Sequence, residues 1–207
     1  MQQIMKIAII SGSHRNNSQS MKVAQHIEAT LQNGICDETW LYSLAGNPLP
    51  LWDEGVWDGT QHWQDLLNPI REQLQSCDAL VVITPEWYGQ VPAGLKNFFL
   101  LFGKNELAHK PALIVSVSAG DGGAYPVAEL RMSSYKNSRL CYIPEQVIIR
   151  HVESVLNDNP DDNDSRSDLY IRERLQWSLN ILAQYGTALK AMRDSGVTET
   201  DKFGNGM

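Results

Sequence analysis

The sequence predicts an α/β protein built on a doubly wound, five-stranded parallel sheet with helices on both faces. Short apolar runs alternate along the chain with longer segments in which apolar residues recur at helical spacing. Four of the runs are continuously apolar, as expected of strands that helices cover on both sides. Ligands of such sheets bind at the carboxyl ends of the strands, near the switch point of the strand order, so the loops at that edge form the candidate site.

The five predicted strands are short. The second is the weakest and is expected nearer an edge of the sheet, whereas the third is expected to end at Pro85 because proline cannot donate to a sheet ladder. The strands are predicted over Met5–Ile10, 36–42, Asp78–Thr84, Pro111–Val117 and Val147–Val152.

The helices are predicted from periodicity and from proline. Apolar residues recur at helical spacing from Met21 to Leu31 in the first helix, and Pro92 suits the first turn of the third. A Gly-, Pro- and Trp-rich segment over 46–63 and an acidic linker over 157–168 have no assigned role. The helices are predicted over Ser18–Gln32, a segment through Ile70 to Gln75, Ala93–Phe102, Tyr125–Asn137 and Asp168–Arg193.

Length, charge and cysteine use restrict the class of protein. The 207 residues fit one domain, predicted over 1–195 and followed by a flexible tail over 196–207. A formal net charge of −7 and the lack of a basic run argue against nucleic acid as a partner. No signal peptide or long apolar run is visible, and the three separated cysteines have no metal-ligand spacing. We therefore expect a cytoplasmic protein without a metal site, and no binding to membranes or nucleic acid.

The loop after the first strand suits a phosphate group. It contains several serines, Gly12 and Arg15, and it leads into a helix whose first N–H groups are unpaired. Gly12 would let the backbone approach an anion closely, and Arg15 would supply a permanent positive charge. The loop has neither a Walker A lysine nor a dinucleotide fingerprint, so a single terminal phosphate is favoured. An ordinary turn with a serine N-cap is the alternative.

The loops after the third and fourth strands suit a flat heteroaromatic ring. Trp87 and Tyr88 lie between prolines, which favours a rigid platform for stacking, although the two aromatic residues could simply cap the core. Gly120, Gly122 and Gly123 indicate positive φ angles or close approach of the backbone to a ligand, with a plain strand-to-helix connection as the alternative. Together, the three loops describe a site for FMN.

These motifs resemble the NADPH-dependent FMN reductase family, flavodoxin-like proteins that include azoreductases and chromate and quinone reductases. The likeness covers roughly residues 4–150. The family's Gly-Ser-x-Arg-x-x-Ser-x-Ser/Asn loop is matched by Gly12, Ser13, Arg15, Ser18 and Ser20. Its Thr-Pro-Glu-Tyr-Asn and Pro-x-x-Leu-Lys-Asn segments are matched by Thr84, Pro85, Glu86, Pro92, Leu95, Lys96 and Asn97. Its Ser-x-Gly-x-x-Gly-Gly segment is matched by Ser118, Gly120, Gly122 and Gly123, whereas its Tyr-Asn pair is Trp87-Tyr88 in this chain.

The resemblance implies a flavodoxin-like sheet with strand order 2-1-3-4-5 and FMN as the cofactor. The FMN phosphate would be held by Ser13, Arg15, Ser18 and Ser20, and Ser11 and Gln19 would also contact the cofactor. The ring would contact Pro85, Glu86, Trp87, Tyr88, Gly89, Ser118, Gly120, Gly122 and Gly123. Glu86 is expected to orient a loop by accepting backbone N–H bonds rather than to transfer protons.

The implied activity is an oxidoreductase that passes hydride from NAD(P)H through FMN to a quinone, a flavin, an azo compound or a similar small acceptor. No catalytic side chain is expected, since N5 of the flavin carries the hydride. A homodimer or homotetramer is implied by the family. The first alternative is a flavodoxin-type electron carrier that binds FMN without NAD(P)H turnover. The second, a hydrolase or regulatory domain on the same sheet, lacks a nucleophile elbow.

Overall fold

Five parallel strands form one sheet in the order β2-β1-β3-β4-β5 in the computed structural model, which describes residues 5–199 and 202–206. This order confirms the predicted α/β fold. The strands are β1 (Lys6–Ser11), β2 (Glu38–Ser43), β3 (Ala79–Pro85), β4 (Pro111–Val117) and β5 (Cys141–Ile149). The helices are α1 (Gln19–Gln32), α2 (Gly55–Asp58), α3 (Gln61–Ser76), α4 (Ala93–Leu101), α5 (Lys104–Leu107), α6 (Ala124–Ser133) and α7 (Ser165–Asp194), with 3₁₀ turns at Val152–Ser154 and Pro160–Asp162.

Helices cover both faces of the sheet, and β1 shows how its sequence makes this possible. Successive side chains of a strand point to opposite faces. Ile7 and Ile9 therefore join the cluster formed with α1 and α7, whereas Ala8 and Ile10 join the cluster formed with α3, α4 and α6. All four are fully buried, so a continuous apolar run was required at this position.

The last strand differs from its prediction. The apolar run suggested Val147–Val152, but β5 starts at Cys141 and ends at Ile149. β5 pairs only with β4, so it is an edge strand, and its exposed Pro144 lies where the register of the β4–β5 pairing shifts. At the other end, His151 adopts a φ of +47°, which stops the extended backbone before the 3₁₀ turn.

The acidic segment also differs from its prediction as a linker up to residue 168. The helix α7 begins at Ser165, because Asp164 is its N-cap and accepts a bond from the Ser167 N–H at 2.9 Å. The preceding residues are anchored to α1 by Lys22, whose Nζ donates to the carbonyls of Val152 (2.7 Å) and Val155 (2.9 Å).

The Trp-rich segment contains α2 and the first turn of α3. Its path is fixed by the buried Asn97 of α4, which accepts a bond from the Trp52 N–H and donates to the Pro50 carbonyl, both at 2.8 Å. At the far end of the chain, the Gly206 N–H donates to Asn137 Oδ1 at 3.0 Å. Within the described part of the chain, no helix has the length and apolar character needed to cross a membrane.

Candidate functional site

The loops after β1, β3 and β4 lie side by side at the carboxyl edge of the sheet. Backbone bonds join them in pairs: the Gly12 N–H donates to the Ile83 carbonyl at 2.8 Å, and the Glu86 N–H donates to the Val117 carbonyl at 2.9 Å. Since β1, β3 and β4 are neighbours in the sheet, residues far apart in the sequence meet here.

The first loop combines a helix cap with unused polar groups. Ser18 is the N-cap of α1, and its hydroxyl accepts a bond from the Met21 N–H at 3.2 Å. This is the serine N-cap given as the alternative role of the loop. Ser13 accepts a bond from the Arg15 N–H at 3.3 Å. The side chain of Arg15 is exposed and borders a cleft of about 450 Å³ that also contacts Ser18 and Gln19. Ser20 is buried in the first turn of α1.

Gly12 has a packing role that the sequence did not indicate. A Cβ at this position would lie 2.5 Å from the Ile83 carbonyl oxygen and 2.7 Å from Leu95 Cδ2. The glycine is therefore required by the close packing of the loop against β3 and α4. The lack of a side chain at Gly12 is needed for contact within the protein, whether or not an anion approaches.

The second loop is a tight hairpin turn. Trp87 and Gln90 pair through two backbone bonds, of 3.1 and 2.9 Å, while Tyr88 (φ +50°) and Gly89 (φ +73°) occupy the central positions of a type I′ turn. Tyr88 therefore stands fully exposed at the tip, whereas the Trp87 ring packs edge-on against His14 of the first loop, with centroids 4.4 Å apart. Of the two aromatic residues, Trp87 is the one joined to the phosphate-type loop.

Glu86 joins the second loop to the third. Its carboxylate accepts a short hydrogen bond from the Gly123 N–H, the contact expected of a loop-orienting acid. A Cβ on Gly122 would lie 2.6 Å from Glu86 Oε1, and a Cβ on Gly123 would lie 2.5 Å from Ile148 Cγ2. Gly123 also has a φ of +102° and is the N-cap of α6. These two glycines are thus required by the geometry around the carboxylate. Close by, the Ser118 hydroxyl accepts a bond from the Gly120 N–H at 3.3 Å.

Several buried polar atoms at this edge have no partner among the described residues. Such atoms are costly unless a ligand or water satisfies them. They belong to the first loop, to its flanks and to the end of β4: Ser11 Oγ, His14 Nδ1, Gln19 Oε1 and Ser116 Oγ. A ligand rich in hydroxyl, phosphate and ring heteroatoms, such as FMN, would supply both donors and acceptors here, so the residues present fit that group.

The residues that support the loops from behind were not predicted from the sequence. Glu129 of α6 accepts a bond from the Val91 N–H at 2.7 Å and pairs with Lys96, which ties the second loop to two helices. Arg150 and His151 bond to the third loop from the end of β5. The Lys96-Asn97 pair of the motif could have indicated side chains that hold the second loop in place, but no sequence signal indicated Glu129 or Arg150. Among the described residues, no cluster of His, Cys, Asp or Glu could hold a metal ion.

A parallel 2-1-3-4-5 sheet with serine, aromatic and glycine loops at its carboxyl edge defines a flavodoxin-like nucleotide-binding protein. The sequence model of the NADPH-dependent FMN reductase family matches residues 5–154, and the chain belongs to that family. The protein is accordingly an oxidoreductase that uses FMN, with NAD(P)H as the reductant.

Three relatives are 26–30% identical to this chain over the aligned residues. An NADPH azoreductase from Bacillus sp. strain OY1-2 is 26% identical over 147 residues, which are 70% of this chain and 76% of the relative. A 2-hydroxy-1,4-benzoquinone reductase from Burkholderia sp. is 29% identical over 161 residues (75% and 84%). A quinone reductase from Escherichia coli K12 is 30% identical over 128 residues (60% and 66%).

Solved structures agree on the fold. The flavoenzyme FerB, an NAD(P)H:acceptor oxidoreductase from Paracoccus denitrificans, superposes with a TM-score of 0.67 at 20% identity, covering 89% of this chain and 98% of FerB. An azoreductase from Bacillus anthracis gives a TM-score of 0.60 at 15% identity, covering 86% and 99%. At these identities, the likeness shows the fold alone.

Proposed function

We propose that the protein transfers hydride from NAD(P)H through FMN to a small acceptor such as a quinone, a free flavin or an azo compound. The observation that carries the proposal is the set of unpartnered buried polar atoms at the edge where the family's three motifs meet. The names of the azoreductase and quinone reductase relatives support the acceptor class.

The chain's own residues would bind and orient the cofactor. We propose that the FMN phosphate lies against Ser13, Arg15, Ser18 and Ser20, where Arg15 and the first N–H groups of α1 offset its charge. Ser11 and Gln19 would supply further polar contacts. FMN, when bound, supplies the hydride chemistry at its ring.

The second and third loops would hold the ring. Trp87, backed by His14, would provide the rigid aromatic wall, and Glu86 would keep the third loop in place through the Gly123 N–H. Pro85 and Gly89 frame this turn, and Ser118, Gly120, Gly122 and Gly123 would face the pyrimidine end. Because Tyr88 projects freely from the turn, the acceptor side is open, which suits acceptors of varied shape.

The test is FMN titration followed by turnover. Apoprotein should quench the fluorescence of about one equivalent of FMN, and the reconstituted protein should oxidise NADPH or NADH continuously when a quinone is present. A flavodoxin-type carrier would bind FMN without this steady turnover. Failure to bind FMN at all would contradict both the reductase and the electron-carrier readings.

We also propose that the protein is a homodimer or a homotetramer. Support comes from an apolar groove of about 800 Å³ between α4 and α6, where Trp57 and Leu100 are 79% and 65% exposed. Leu100→Glu should dissociate the assembly in sedimentation experiments. Leu169→Glu, on an exposed position of α7, is the matched control.

A reducing compartment, the cytoplasm, is proposed because all three cysteines are unpaired.

A further inference from the structure

We propose that Arg150 is a positioning residue that raises the reduction potential of bound FMN by polarising the third loop. The inference rests on the proposed function, because it needs the ring to lie against that loop. Arg150 lies directly after β5, beside the end of β4, and it belongs to none of the matched motifs.

The first step is the contact between Arg150 and the loop. Arg150 Nε donates to two successive carbonyl oxygens, that of Asp121 at 2.7 Å and that of Gly122 at 2.9 Å. Both peptide units are therefore held with their oxygens toward the guanidinium. The positive charge of Arg150 thus lies against the oxygen end of both peptide units.

The second step is the direction of the opposite ends of these peptide units. A trans peptide places its N–H opposite to its C=O, and the described residues contain no cis peptide bond. The N–H groups of Gly122 and Gly123 therefore point away from Arg150. The Gly123 N–H confirms this by donating to Glu86, while the Gly122 N–H has no protein acceptor among the described residues.

The third step is electrostatic. A guanidinium at the oxygen end of a peptide unit strengthens the donor at the nitrogen end, and the N-terminus of α6 adds to the same field. Two-electron reduction places negative charge on the pyrimidine end of the flavin, and charge near that end sets the potential. Fixed donors directed at developing charge stabilise the reduced form more than the oxidised one.

Two carboxylates also lie at this loop, and their charges act against that of Arg150, but each has a hydrogen-bond partner and neither is changed when Arg150 is replaced. The Asp121 carboxylate is exposed and pairs with His151 Nε2 at 2.8 Å, and the Glu86 carboxylate is occupied by the Gly123 N–H. Ser116, fully buried beneath Gly123, adds an unpartnered hydroxyl on the same side. Arg150 is thus the cation that contacts the loop carbonyls.

The test is the reduction potential of FMN in Arg150→Gln, which removes the charge. We expect the ratio of affinities for reduced over oxidised FMN to fall about tenfold, which corresponds to about −30 mV for a two-electron couple. A purely structural role would weaken both affinities equally and leave the ratio unchanged. In Arg150→Lys, which keeps the charge, the ratio of affinities for reduced over oxidised FMN should stay within about threefold of that of the unmodified protein.

The control is Arg166→Gln, which removes a charge from an exposed position on α7. The reduction potential of FMN bound to Arg166→Gln should match that of FMN bound to the unmodified protein. An unshifted potential in Arg150→Gln, or an equal shift in Arg166→Gln, would overturn the inference while FMN binding stands. If the unmodified protein binds no FMN, the proposed function fails as well.

Discussion

Replacing Gly122 with alanine tests how the second and third loops are held together. The new Cβ would lie 2.6 Å from Glu86 Oε1 and 3.2 Å from Oε2, well inside van der Waals contact. The carboxylate must move, and it then loses its bond from the Gly123 N–H. A hydrogen bond to a charged group is worth about 1.5–3 kcal/mol, and alanine returns about 0.4–1 kcal/mol by restricting the unfolded chain.

The free energy of unfolding should therefore fall by about 0.5–2.6 kcal/mol. Restriction of the unfolded chain does not enter a binding equilibrium, so the lost bond, at about 1.5–3 kcal/mol, predicts FMN binding weakened by about 10- to 150-fold. Fluorescence titration of the apoprotein with FMN measures this loss of affinity. Gly103→Ala, outside the three loops, is the matched control, since a Cβ there meets nothing within 4 Å, and its FMN affinity should stay within about twofold. If Gly122→Ala binds FMN as tightly as the unmodified protein, Glu86 does not organise the site.

Three further perturbations separate binding from stability. Arg15→Ala should weaken FMN binding by about tenfold or more without lowering the free energy of unfolding, because the side chain is exposed; Arg166→Ala is its control in dialysis and urea titration. Ser11→Ala should raise the free energy of unfolding of the FMN-free protein by about 1 kcal/mol, since its hydroxyl is buried without a partner, yet weaken FMN binding about fivefold. Burial lowers the pKa of Lys110 to about 8, so the folded protein loses this proton before the unfolded chain does. Stability should therefore rise by about 2 kcal/mol between about pH 7 and pH 9.5 relative to Lys110→Met, and parallel urea curves at both pH values would contradict this.

The fold could be predicted because burial on both faces leaves a strong sequence signal. The alternation of Ile7 and Ile9 with Ala8 and Ile10 has no polar interruption, and only a strand between two helical layers needs this. The same logic failed for β5, where an open edge tolerates Pro144 and Glu145 and the apolar run marks only the second half of the strand.

The candidate site was predictable in its loops but not in its supports. Serines, aromatics and glycines are recognisable because few other residues can form such turns. Glu86 was correctly expected to bond backbone N–H groups, but its acceptance from Gly123 depends on the register of β3 and β4, which no local pattern encodes. Gly12 also has a packing role that no local pattern indicates, since its lack of a side chain permits close contact with Ile83.

The carboxyl edge of the sheet, with its three loops, is what we propose makes the protein an FMN-dependent NAD(P)H oxidoreductase. The most direct measurement follows NADPH and NADH absorbance in anaerobic buffer with apoprotein, FMN and a benzoquinone. We expect many turnovers per protein, dependent on both FMN and quinone, and fewer turnovers in Gly122→Ala at limiting FMN. A single stoichiometric oxidation, or no oxidation by protein that has bound FMN, would contradict it.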